Sequence, residues 1–177
     1  MTTIIINDDG SITINGKVVV EPEFNAKMTM ADFAEEYLGN REWDDTLRNI
    51  QKWFYGKVLL LPWCATFASY MASLSNVTEQ VGKFDNVDLM KSHLNKQGRL
   101  DCTKKYGGGA YVPKRGDLVF FSAKHTYSDC THVAIVTAFD NSTGKFEYIG
   151  GNQSNAVTMK TDNVSNLYVV AFGNITY

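Results

Sequence analysis

The feature that most constrains the fold is a change of period at the glycine run Gly107-Gly108-Gly109. From about residue 28 up to it, apolar residues recur every three or four positions. After it, they come in short apolar runs divided by turn residues. The first spacing belongs to helices packed by one face, the second to buried strands. Helices first and consecutive strands afterwards predict an α+β fold, with helices packed on an antiparallel sheet. A chain of 177 residues has room for one core of useful size and not for two.

The individual elements follow from local chemistry. Ile4-Ile5-Ile6 and Ser11-Ile12-Thr13-Ile14 flank the turn residues Asn7-Asp8-Asp9-Gly10, and Asn15-Gly16 leads into Lys17-Val18-Val19-Val20 before Pro22. Residues 1–27 therefore read as a β-hairpin extension and residues 28–177 as the main domain. Thr29 can cap a helix with the stripe Met30, Phe33, Ala34, Tyr37 and Leu38. Asp44 or Asp45 can cap a second through Leu47, Ile50 and Phe54, ending at Gly56. A third starts at Cys64, and a fourth runs from Asn86 to about residue 97. Strands are expected at residues 117–121, 132–138, 146–149, 156–159 and 167–172.

Bulk properties exclude several function classes. No stretch of about 18 apolar residues exists, so membrane insertion is not expected. The start, Met1-Thr2-Thr3-Ile4, lacks a basic region and meets Asp8 and Asp9 early, unlike a signal peptide. The net charge of −2 conceals an asymmetry: residues 1–45 carry −7 and residues 46–177 carry +5. That modest positive charge suits an anionic polymer, or simply a solvated surface, and lacks the aromatic–basic interleaving of a nucleic-acid binder. Gly107-Gly108-Gly109 lacks the lysine and hydroxyl residue of a phosphate loop. Three cysteines without a secretion signal argue against a disulfide framework, although Cys102 and Cys130 could pair after export and leave Cys64 free. No metal or cofactor is expected, because the Cys and His residues show no ligand spacing.

Cys64 is the sharpest candidate for chemistry. It follows Leu61-Pro62-Trp63 and opens a stripe of Cys64, Phe67, Ala68, Met71 and Ala72. A thiol in the first turn of a helix meets the positive end of the macrodipole, which favours thiolate. A buried packing role is the plain alternative. Of the three histidines, His93 sits among polar helix neighbours and His125 in a polar loop, whereas His132 opens a buried strand. Asn152, in Gly150-Gly151-Asn152-Gln153-Ser154-Asn155, is either an ordinary turn residue or the amide that orients an imidazole.

Taken in order, Trp63-Cys64-Ala65, Pro113-Lys114-Arg115-Gly116-Asp117-Leu118-Val119-Phe120-Phe121, His132-Val133-Ala134-Ile135-Val136 and Gly151-Asn152 resemble the CHAP amidohydrolases. These are papain-like cysteine enzymes that cut peptidoglycan, many of them phage lysins. The resemblance covers roughly residues 28–172. It implies Cys64 as nucleophile, His132 as base and Asn152 as orienting residue, with Trp63 and Gly151 lining the substrate cleft. Many members have a glutamate where this chain has Gly150, so Asn152 would orient His132 alone. The Gly-Gly-Asn-Gln-Ser-Asn form resembles a phage and prophage branch. Some lysins bind calcium through an acidic loop ahead of the cysteine; Lys52-Trp53-Phe54-Tyr55-Gly56-Lys57 has no carboxylate, so no calcium is expected there.

The resemblance thus implies a monomeric peptidoglycan hydrolase made in the host cytoplasm and acting on the wall after release, as a phage endolysin or virion-associated lysin. Two alternatives bring different partners. A secreted antibacterial effector would have an immunity protein. An inactive module would bind the wall or serve as a phage tail component.

Overall fold

The computed structural model describes residues 28–59 and 61–177, together with the backbone of three short strands ahead of them. Those strands are β1 (Ile4–Ile6), β2 (Ile12–Ile14) and β3 (Lys17–Val19), paired antiparallel in that order, with Ile4 opposite Ile14 and Ile12 opposite Val19. The expected turns at residues 7–10 and 15–16, and Pro22, lie outside the described residues.

Five helices follow. α1 (Met30–Glu36) starts with a capping box: Thr29 N–H donates to Asp32 Oδ2 at 2.6 Å and Asp32 N–H returns to Thr29 Oγ1 at 3.3 Å. α2 (Asp45–Tyr55) stops at Gly56, whose φ of 72° is left-handed. α3 (Cys64–Leu74) is the central helix, and it is less amphipathic than its stripe suggests. Ala65, Thr66 and Ser69 are buried along with the stripe residues, because α1, α2 and the sheet close on it from several sides. The polar positions are satisfied: Ser69 Oγ donates to the Phe84 carbonyl at 3.0 Å and accepts the Phe84 N–H at 2.9 Å. A single turn, α4 (Thr78–Val81), was not evident from the sequence. α5 (Val87–Lys96) is capped by Asn86, whose side chain accepts the Leu89 N–H.

The main sheet has six antiparallel strands: β4 (Leu100–Cys102), β5 (Leu118–Phe121), β6 (His132–Asp140), β7 (Lys145–Gly150), β8 (Thr158–Asn163) and β9 (Val169–Gly173). Their order is β4-β9-β5-β6-β7-β8. β4 is too short to show a period, and its partner β9 lies far along the chain. β8 begins two residues later than expected. Ala156 instead bridges Arg41, while Val157 exchanges backbone bonds with Gly39 and Asn40. This fastens the α1–α2 loop to the segment before β8.

Both faces of the sheet are covered, so β5 is buried at every position. Leu118, Phe120, Val133, Ile135 and Ile149 face the helices. Val119, Phe121, Ala134, Val136, Phe146 and Phe172 form a second core on the opposite face. The turn before β5 locks the two layers together. Arg115 forms a forked ion pair with Asp32 and Glu35 of α1, with both Nη2 contacts at 2.7 Å, and donates to the Thr137 carbonyl of β6. Fully buried Asp117 accepts from Lys114 N–H, Ile175 N–H and Tyr111 Oη–H.

Candidate active site

Cys64 is the first residue of α3, and Trp63 stands at the N-cap without a side-chain cap bond. The thiol is 7% exposed. Burial pushes it above its ordinary value, against the N–H groups of Val133, Ala65 and Cys64 itself, which favour the thiolate. The helix start alone predicts an activated thiolate. In the structure desolvation wins, so the resting sulfur carries its proton.

Packing of α3 on β6 brings the strand that opens with His132 and Val133 against the helix that opens with Cys64. His132 is therefore one residue from the backbone group that meets Cys64. Its half-buried ring lies 5.9 Å from that of Phe121. Burial, with Lys160 as a second cause, lowers the imidazole to about 4, so it is neutral at physiological pH and free to accept a proton. No hydrogen bond joins Cys64 to His132 among the described residues. His132 Nε2 is buried without a partner there and points at Gly150.

Asn152 lies in the turn after β7 at φ 58°, a conformation that asparagine tolerates. Its side chain makes no hydrogen bond among the described residues, so its visible role is to form the turn. Ser154 and Asn155 are also left-handed. Gln153 closes the turn through its N–H to the Ala156 carbonyl at 3.0 Å, and Asn155 accepts the Glu42 N–H at 2.9 Å.

Trp63 and Gly151, expected to line a cleft, pack on each other instead. Trp63 is 2% exposed. A β-carbon on Gly151 would lie 2.5 Å from Trp63 Cζ3 and 2.7 Å from Phe67 Cβ, so only glycine fits. The pair joins the turn to the helix start, and both residues are closed to solvent.

The remaining candidates separate. His125 stacks edge-on against Tyr168, with ring centres 4.3 Å apart. The three cysteines are free thiols. Cys130 meets the ammonium of Lys91 at 3.2 Å, and Lys91 also pairs with Asp88 at 2.7 Å and donates to the Tyr127 carbonyl. No group of three or more metal-ligating side chains gathers among the described residues. Nor is any helix there long and apolar enough to cross a membrane. A cavity of about 460 Å³, lined by Cys102, Lys104, Tyr111, Phe139, Val164 and Phe172, lies on the far face of the sheet and includes neither Cys64 nor His132.

A helix-borne thiol packed on an antiparallel sheet, with a histidine opening the strand beneath it, defines a papain-like α+β protein. A family model for the CHAP domain matches residues 53–152, from the end of α2 to the turn after β7. The chain belongs to the CHAP-domain family, whose members are peptidoglycan hydrolases. No curated protein and no solved structure matches it. The residue that sequence reasoning passed over at this site is Gln153. In sequence it is one polar residue of a polar turn, and its burial arises from contacts with β8.

Proposed function

We propose that the protein hydrolyses an amide bond of peptidoglycan, with Cys64 as nucleophile and His132 as base. The observation that carries this reading is the packing of α3, which opens on Cys64, against β6, which opens on His132. His132 takes the thiol proton as sulfur attacks the carbonyl carbon, and catalysis requires its ring to turn toward Cys64 for that step. The backbone N–H of Cys64 is one donor for the tetrahedral oxyanion. Collapse breaks the C–N bond, His132 hands its proton to the leaving amine, and a thioester remains. Water, deprotonated by His132, then releases the acid and restores the thiol. Asn152 holds the third place of the family pattern, in the left-handed turn whose Gly150 faces the imidazole.

The Gly150–Asn155 sequence favours a phage lysin that reaches the wall after release from its host. The test is loss of turbidity of purified cell walls. Cys64→Ala and His132→Ala should each abolish it while the fold persists by circular dichroism. More than a few per cent of residual activity in either variant would overturn the assignment. Mass spectrometry of the released fragments separates an amidase, which frees stem peptide from glycan, from an endopeptidase, which cuts within the peptide.

A further inference from the structure

The turn after β7 holds a side chain better placed than Asn152 to govern the histidine. Gln153 is 6% exposed, and its Nε2 donates to the Gly150 carbonyl at 3.1 Å and the Thr158 carbonyl at 2.8 Å. Carbonyls only accept, so both amide hydrogens are committed and the orientation of the amide is fixed. What remains is Oε1, an acceptor with no hydrogen bond among the described residues. The point that a β-carbon on Gly150 would occupy lies 2.7 Å from Gln153 Nε2 and 2.7 Å from His132 Nε2. Glycine thus leaves open the space in which the two side chains meet. His132 Nε2 is buried and unpartnered there, and a buried polar atom without a partner is costly whichever role it takes.

We propose that Gln153 is the positioning residue of the Cys64–His132 pair: its Oε1 accepts the hydrogen of His132 Nε2, leaving Nδ1 unprotonated to serve the thiol. The amide is held in place, so it is the imidazole that turns to make the bond. The amide is held at both hydrogens, so it presents the acceptor without paying rotamer entropy at each turnover. The proposal rests on the assignment of Cys64 and His132 as the reacting pair. Thr158, opposite Gly150 in the β7–β8 ladder, carries another unpartnered buried oxygen and is the competing acceptor.

The first test needs neither activity nor a variant. Long-range ¹H–¹⁵N correlation spectra of the wild-type protein near neutral pH should show His132 as the Nε2–H tautomer. The Nδ1–H tautomer would overturn the proposal. In the second test, Gln153→Met removes the acceptor and Gly150→Ala wedges a methyl between the two side chains. Each should lower kcat about 10- to 100-fold with KM within about twofold, and each should shift the His132 Nε2 resonance. An unchanged resonance in Gln153→Met overturns the proposal, as does a shift in Thr158→Val alone. Full activity of Cys64→Ala would instead sink the underlying assignment, and the tautomer readout distinguishes that failure from this one.

Discussion

Cys64 and Cys130 are each almost closed to solvent, and burial raises both thiols above the ordinary value. Around Cys130 the opposing influence is a side-chain charge: the Lys91 ammonium at 3.2 Å, itself held by Asp88 and the Tyr127 carbonyl. Around Cys64 it is backbone alone, the N–H groups at the helix start and at Val133. The ammonium is the more effective stabiliser of a thiolate, yet its hydrogens are spoken for and it leaves no acceptor for the thiol proton. Beside Cys64 stands His132, neutral and short of a partner. A nucleophile needs somewhere for its proton to go and room for an electrophile, and only the weaker electrostatic site offers the first.

Exchanging sulfur for oxygen at each position should break the comparison most visibly. Cys64→Ser should lower wall lysis by about 10³-fold or more, because the serine hydroxyl is far harder to deprotonate. Cys130→Ser should stay within about twofold. Equal losses would mean that Cys130, two residues before His132, shares in the chemistry.

The next effect is on stability. Lys91→Met strips a buried cation from Asp88, the Tyr127 carbonyl and Cys130. Part of Asp88 reaches solvent, so the cost should be about 1–3 kcal/mol in urea denaturation. In the folded variant iodoacetamide should label Cys130 more slowly at a given pH, with Cys64 unaffected. Slower labelling of Cys64 would show that the two sites share one field.

The smallest effect concerns protons. His132 has a folded value near 4, below the ordinary 6.5. Its contribution to stability is present above 6.5 and is lost as pH falls toward 4, because the unfolded chain takes up the proton first. Between pH 7 and pH 5 the wild type should therefore lose more unfolding free energy than His132→Gln. Parallel pH curves would mean that the imidazole is better solvated than its surroundings indicate.

What could be read from the sequence was whatever local chemistry determines. The Thr29 cap, the Gly56 stop, the helix beginning at Cys64 and the strand beginning at His132 all depend on residues within a few positions of each other. What could not be read was set by distant partners. β4 exists because β9 pairs with it, and β8, expected at residues 156–159, runs on through polar Lys160–Asn163 because β7 supplies its ladder. The same holds at the site. The protonation state of Cys64 follows from burial that no helix-start rule contains. Arg115, quoted in sequence only as part of a family block, proves to be the clasp between α1 and the sheet. Gln153 reads as turn filler until β8 provides the carbonyl that fixes its amide.

The contact between Gly151 and Trp63 has a mechanical consequence. With no β-carbon to act as a spacer, the turn carrying residues 150–153 rests directly on the indole that precedes the sulfur. Helix start and turn are therefore packed as one unit, and a substitution that parts them should shift the nucleophile relative to the turn beside the imidazole.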